Sequence, residues 1–130
     1  MALDIADRLA IENLISLYCH HADYDPPECM REVFVPDAVW EVPAMDLRCE
    51  GIDAIVGFFT QSRAGFGSAR HVTSNLVVQG DGDHATANCY LQVIKVDEDP
   101  KPVVSFGRYQ DELVRTAEGW RFRHRKVLIG

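Results

Sequence analysis

The stretch HVTSNLVVQGDGDHATANCYLQVIKV, residues 71–96, decides the fold. His71–Gln79 and Ala85–Val96 both have the composition of β-strands, with many β-branched and apolar side chains. Between them lies Gly80-Asp81-Gly82-Asp83, which is typical of a tight turn because glycine and aspartate tolerate left-handed backbone conformations. Two strands joined by so short a turn are expected to pair as an antiparallel hairpin.

Two more predicted strands follow this hairpin along the chain. Val103–Arg115 comes after the polar turn Asp97-Glu98-Asp99-Pro100, and Trp120–Ile129 comes after a turn at Thr116–Gly119. Because strands joined by short turns pair with their neighbours, we expect the second half of the chain to form an antiparallel meander.

The first half of the chain has the periodicity of helices instead. Apolar residues recur at steps of three and four in residues 4–24, with Asp4 as the predicted N-cap and Pro26-Pro27 as the stop. The other predicted elements are a helix over Glu28–Phe34, a strand over Ala38–Val42, a loop over residues 44–51 and a third helix over Gly51–Phe59, in a region that Gly65 and Gly67 end.

This order of elements predicts an α+β fold. Three N-terminal helices would pack on one side of a curved, mainly antiparallel β-sheet and enclose a pocket. A chain of 130 residues can bury a substantial core and fits one domain, so we expect residues 1–130 to form a single unit.

Composition disfavours several kinds of partner. The net charge is −7, whereas a nucleic-acid surface needs a basic stripe. No apolar run approaches the ~20 residues that span a bilayer, and no secretory signal pattern is visible. The four cysteines form no C-x-x-C pair, so we expect free thiols and a cytoplasmic location.

Asp23 and His71 are the candidate catalytic pair. A neutral imidazole is a good general base near pH 7, and a carboxylate on its other ring nitrogen fixes the tautomer and stabilises the imidazolium. Tyr18 and Arg125 are candidates for a second donor, which would assist a leaving group or hold an enolate. This scheme describes β-elimination and ketone–enol isomerisation equally well.

Other residues are candidates for lining the pocket. Strict alternation puts Trp120, Phe122 and His124 on one face of the last strand and Arg125 on the other, unless a β-bulge shifts the register. Adjacent helix residues point about 100° apart, so His20 and His21 cannot both face one metal ion. We expect no metal and no organic cofactor. The expected substrate-binding residues are Leu14, Trp40, Phe58, Phe59, Tyr90, Gln92, Tyr109 and His124.

The order of elements and several motifs resemble the SnoaL-like branch of the NTF2-like superfamily. The motifs are Ile11-x-x-Leu14-x-x-x-Tyr18, Ala22-Asp23, Phe34-x-x-Asp37-Ala38-x-Trp40, Gly51-x-x-Ala54-Ile55, Arg70-His71-x-x-x-Asn75, Gly82-Asp83-x-Ala85-x-Ala87, Gly107-x-Tyr109 and Gly119-Trp120-Arg121-Phe122 with Arg125. Within the superfamily the chain looks most like the scytalone dehydratase and lindane dehydrochlorinase group.

This resemblance implies a cone-shaped cavity that holds an Asp–His dyad at Asp23 and His71, together with a cavity arginine at Arg125. Tyr18 stands where the dehydrochlorinase has a lysine, which disfavours dehalogenation. Tyr90 or Gln92 are the polar substitutes for the second cavity histidine of the dehydratase.

Three functions remain open on this basis. The first is a cofactor-free lyase or isomerase that acts on a small, mostly apolar cyclic substrate, in a homodimer. The second is a ligand-binding or scaffold domain, such as the small subunit of a ring-hydroxylating dioxygenase, which carries no chemistry of its own. The third is epoxide hydrolysis through Asp111 and Arg125, which would leave His71 without a role.

Overall fold

Helices pack against one mixed β-sheet in the computed structural model, which describes residues 2–66 and 68–130. The predicted helix end at Gly67 lies outside these residues. The elements are helix α1 (Ile5–Asp23), a 3₁₀ helix (Pro27–Glu32), strand β1 (Phe34–Val42), a 3₁₀ turn (Pro43–Met45), strand β2 (Leu47–Glu50), helix α2 (Ile52–Phe66), and strands β3 (Ala69–Asp81), β4 (His84–Lys95), β5 (Val103–Thr116) and β6 (Gly119–Ile129).

Helix α1 begins at the predicted N-cap. The Asp4 side chain accepts a hydrogen bond from the Asp7 backbone N–H at 2.8 Å, and the Asp7 side chain accepts one from the Asp4 backbone N–H. This reciprocal capping satisfies donors that the first turn leaves without intrahelical partners. The apolar stripe of α1 is buried at Ile11, Leu14, Ile15 and Tyr18, as the helical period requires.

The expectation of three N-terminal helices holds only in part. The residues after Pro26 form a 3₁₀ helix rather than an α-helix. Helix α2 runs through Gly65 to Phe66 instead of stopping near Phe59, because Ser62 and Arg63 continue the face that Phe59 begins. None of the helices in the described ranges is long and apolar enough to cross a bilayer.

The sheet has six strands in the order β2-β1-β6-β5-β4-β3. The predicted antiparallel meander forms its β3–β6 part. Strand β1 starts at Phe34 rather than Ala38 and lies parallel to β6. The prediction of a loop over residues 44–51 was wrong, because Leu47–Glu50 folds back and pairs antiparallel with the end of β1.

A β-bulge in β6 decides which side chains face the helices. Leu113 pairs with Phe122, whereas Glu112 pairs with His124, so Arg123 is the extra residue. Phe122 and Arg125 consequently lie on the same buried face, and His124 turns to the other face. The buried face carries the main hydrophobic core, where Tyr18 of α1 packs edge-on against four aromatic rings.

Candidate active site

Asp23 and His71 lie in direct contact, although 48 positions separate them in the sequence. The Asp23 Oδ1 atom is 2.6 Å from His71 Nδ1. Both carboxylate oxygens also accept from the His71 backbone N–H, at 3.2 and 3.0 Å. Because a carboxylate can only accept here, Nδ1 carries the proton of this hydrogen bond, and in the neutral imidazole Nε2 keeps its lone pair.

The ends of two elements bring these side chains together. Asp23 is the last residue of α1, and His71 is the third residue of β3, against which α1 packs. The Asp23 side chain is 6% exposed and the His71 side chain 21% exposed. The carboxylate is therefore shielded from water, whereas the imidazole keeps an open edge.

Arg63 fixes the C-terminal end of α1. Its guanidinium donates to the backbone carbonyls of His21 at 2.7 Å, Ala22 at 2.9 Å and Asp25. The last carbonyls of a helix have no intrahelical partner and carry partial negative charge. A guanidinium supplies both the missing hydrogen-bond donors and a compensating positive charge. By holding carbonyls on either side of Asp23, at Ala22 and at Asp25, Arg63 ties α2 to the position of that carboxylate.

A pocket of about 320 Å³ opens beside this pair. Trp40, Phe58 and Phe59 form an aromatic wall, with ring centroids 4.6 to 5.5 Å apart. Further apolar lining comes from Ala22, Met45, Ala69, Val93 and Val104, and polar lining from Asp23, Ser62, Arg63, His71 and Ser105. The pocket is thus mostly apolar with a few convergent polar groups, which is the usual character of small-molecule sites.

Arg125 is not in this pocket but in the core, where it forms a fully buried ion pair with Asp111. Its Nε and Nη2 atoms donate to the two Asp111 oxygens at 2.8 and 2.9 Å. The guanidinium lies 3.5 Å from the Tyr109 ring centroid and 4.3 Å from that of Tyr18. The prediction that Arg125 serves as a pocket donor is therefore wrong for this geometry, and the sealed pair also disfavours epoxide hydrolysis.

Tyr18 lies in the same buried cluster. Its hydroxyl accepts a hydrogen bond from Trp40 Nε1 at 3.0 Å, and 1% of the residue is exposed. Burial raises the pKa of Tyr18 to about 12, although the charge on Arg125 opposes this shift. Tyr18 is thus one hydrogen bond behind the pocket wall and does not reach the pocket as the sequence analysis expected.

Five more predicted lining residues lie elsewhere. Leu14 and Tyr109 are buried in the core and do not line the pocket. Tyr90 and Gln92 fall on the opposite face of the sheet, because the buried positions of β4 are Ala85, Ala87, Cys89 and Leu91. His124 also faces that side, where its Nε2 atom is 2.5 Å from Glu41 Oε2. The β6 bulge explains this last error, since strict alternation would have placed His124 inside.

Sequence reasoning missed the polar residues Ser62, Arg63 and Ser105. Ser62 and Arg63 lie three and four positions after Phe59, so the helical period carried further would have placed them on the pocket face. Ser105 pairs with Val93 and shares its inward face. The sequence gives no local sign of that orientation, because a register shift lies next to it.

The chain is similar to proteins of known sequence along nearly its whole length. The SnoaL-like domain family matches residues 4–126. An uncharacterized protein of Mycobacterium tuberculosis is 29% identical over 128 residues, which cover 94% of this chain and 84% of that protein. The small subunit of anthranilate 1,2-dioxygenase from Burkholderia cepacia is 27% identical over 141 residues, covering 96% and 88% of the two chains.

Solved structures agree with this placement. A Novosphingobium aromaticivorans protein provisionally named an aromatic ring hydroxylase is 31% identical, with a TM-score of 0.85 over 98% of this chain and 91% of that one. A protein from the same organism provisionally named a scytalone dehydratase is 23% identical, with a TM-score of 0.82 over 97% and 85%. The second likeness shows the fold alone. Because the family match spans residues 4–126, the chain belongs to the SnoaL-like domain family and has its NTF2-like fold.

Proposed function

We propose that the chain is a cofactor-free lyase or isomerase that removes a proton from carbon in a small, mostly apolar cyclic substrate. One observation carries this proposal: the Asp23–His71 contact of 2.6 Å borders an apolar pocket of about 320 Å³. A volume near the lower end of the range for ligand pockets suits a compound of one or two rings.

His71 is the general base in this scheme. With the Nδ1 proton bound to Asp23, the Nε2 lone pair accepts the substrate proton, and the imidazolium that forms is stabilised by the adjacent carboxylate. The low polarity of the wall at Trp40, Phe58 and Phe59 strengthens this electrostatic interaction. No redox step is needed, since the proton returns to another substrate atom or leaves with a departing group.

Arg63, Ser62 and Ser105 take the role that the sequence analysis gave to Tyr18 and Arg125. All three line the pocket beside His71 and carry hydrogen-bond donors. An enolate oxygen or a departing hydroxyl needs such donors as its negative charge develops. We therefore assign the anion-holding side of the reaction to these residues.

Exchange of solvent deuterium into a panel of cyclic ketones, followed by NMR, tests this proposal without knowledge of the natural substrate. We expect exchange by the unmodified chain, and a loss of at least about 100-fold in His71→Gln and in Asp23→Asn. His84→Gln is the matched control, because His84 is exposed at the start of β4. If His71→Gln folds and exchanges as fast as the control, His71 is not the base.

A scaffold role is the second candidate, and the likeness to a dioxygenase small subunit favours it. In that case the chain would bind a large catalytic subunit and carry no chemistry of its own. Co-expression with the large subunit of a ring-hydroxylating dioxygenase from the same genome separates the two candidates. A stable complex whose turnover is unchanged by His71→Gln supports the scaffold role and contradicts the lyase or isomerase proposal.

A further inference from the structure

A second group of reactive side chains lies outside the pocket, where the end of α1 meets the 3₁₀ helix. One ring nitrogen of His21, Cys29 Sγ and a Glu32 carboxylate oxygen all lie within 4.8 Å of one another. A 3₁₀ helix has three residues per turn, so Cys29 and Glu32 lie on the same face, one turn apart. That face is directed at His21, which projects from the last turn of α1.

His21 has the hydrogen bonding of a metal-binding imidazole. Its Nδ1 atom is 2.7 Å from Asp25 Oδ2, so Nδ1–H donates to the carboxylate, and in the neutral imidazole Nε2 keeps its lone pair. Histidine ligands in zinc proteins commonly donate their second ring N–H to a carboxylate in this way, which fixes the tautomer and the ring orientation.

The Nε2 atom of His21 lacks a satisfactory partner. The residue is 4% exposed, and among the described residues none forms a hydrogen bond with Nε2. Glu32 Oε2 is 3.0 Å away, yet the two groups do not have hydrogen-bond geometry. In the neutral imidazole a lone pair faces this carboxylate, and a cation held between Nε2 and Glu32 would relieve the repulsion between the two groups.

We propose that His21, Cys29 and Glu32 bind a zinc ion. Zn²⁺ prefers this mixture of imidazole, thiolate and carboxylate ligands, and ligand atoms on one tetrahedral zinc lie roughly 3 to 4 Å apart, so small side-chain rotations close the site. A Cys29 thiolate and the Glu32 carboxylate neutralise the two charges of the ion, and binding releases the Cys29 proton. Water takes the fourth position, since the Glu32 side chain is 62% exposed.

This site differs from the one that the sequence analysis considered and rejected. His20 and His21 cannot share a metal ion, because their side chains diverge on the helix. The partners of His21 lie instead on the following 3₁₀ helix, beyond Pro26. The ion would clamp the end of α1, where Asp23 lies two residues from His21.

Cobalt titration of the chelator-treated full chain tests the proposal, because thiolate-bound Co²⁺ gives a charge-transfer band and tetrahedral d–d bands. We expect one equivalent to bind, Zn²⁺ to displace it, and Zn²⁺ to raise Tm, since the site exists only in the folded chain. Cys29→Ser should remove the charge-transfer band, and Cys29→Ser and Glu32→Gln should each weaken Zn²⁺ binding by about 100-fold or more. Asp25→Asn should weaken it by about 10- to 100-fold.

Two matched controls keep the test decisive. Glu28→Gln removes another carboxylate of the same 3₁₀ helix, and His20→Gln removes the exposed neighbouring imidazole. Both should bind Zn²⁺ as the unmodified chain does. Absence of the thiolate band, or equal weakening by Cys29→Ser and Glu28→Gln, would overturn the proposal. His71→Gln should leave metal binding unchanged, so failure of the proposed reaction and failure of this site are separate results.

Discussion

The buried Asp111–Arg125 pair gives a quantitative test of the corrected role of Arg125. Arg125→Met removes the cation but leaves a carboxylate in the core, where both side chains of the native pair are 0% exposed. Breaking a buried pair on one side costs about 3–5 kcal/mol, because the remaining charge has no compensation. That is a large share of the ~5–15 kcal/mol that stabilises a typical domain.

Replacing both partners should be far less harmful. In Asp111→Leu/Arg125→Met no charge remains in the core, and buried ion pairs exchanged for apolar residues of similar volume often leave stability nearly unchanged. The double variant still loses the guanidinium contacts with Tyr18, Tyr109 and Phe122, each worth up to about 2 kcal/mol when desolvated. We therefore expect it to be more stable than Arg125→Met by about 2 kcal/mol or more.

Urea unfolding followed by tryptophan fluorescence measures these differences, since Trp40 and Trp120 are both buried. The slope against urea should stay constant, so that the midpoint shift reports stability alone. Two results would refute the reasoning: an Arg125→Met cost below about 1 kcal/mol, or a double variant that is less stable than either single one. If Arg125→Met remains folded but loses deuterium exchange completely, Arg125 has the catalytic role that the structure does not support.

Three further predictions follow from named contacts. The raised pKa of Tyr18, about 12 in the folded chain against 10.0 ordinarily, contributes stability that is fully present below about pH 10 and is lost as the pH rises through 12. Unfolding in urea at rising pH should show this loss of stability, which is roughly 2–3 kcal/mol. Tyr18→Phe should make the pH-dependent loss smaller, whereas Tyr24→Phe should leave it unchanged. Arg63→Gln removes donors to three backbone carbonyls at and just after the end of α1, and should cost about 2–3 kcal/mol in thermal or urea unfolding. The proposed proton exchange should also slow, because Asp23 is less well held. Unchanged stability would contradict the role of Arg63 in holding the end of α1. We also expect a homodimer through the exposed sheet face that carries Tyr90 and Phe106. The double variant Tyr90→Glu/Phe106→Glu should therefore be monomeric in light scattering, whereas the control Leu9→Glu on α1 should remain dimeric. A monomeric unmodified chain would refute this expectation.

Local patterns predicted much of the fold. The hairpin at Gly80–Asp83, the Asp4 cap and the helical stripe of α1 depend on neighbours within a few positions, so periodicity and turn chemistry were sufficient for them. Strand β2 was missed because Leu47–Glu50 is short and charged, and only its pairing with β1 makes it a strand. Such a pairing is not visible in a local window.

The candidate site was predictable where it depended on element order and not where it depended on register. Asp23 and His71 meet because a helix end lies over the first strand of the hairpin, which the order of elements implies. The sides that Arg125 and His124 face depend on one extra residue, Arg123, in β6. A bulge leaves no reliable mark in the sequence of a single strand, so the inward residue could not be chosen in advance.

The tautomer of His71 tests the central proposal most directly. A long-range ¹⁵N–¹H correlation spectrum at neutral pH, assigned with His71→Gln, shows which ring nitrogen carries the proton. The account predicts a protonated Nδ1 bonded to Asp23 and a bare Nε2, whose signal shifts when a phenol that mimics an enol enters the pocket. A proton on Nε2, or a bare Nε2 that no pocket ligand perturbs, would contradict the assignment of His71 as the base.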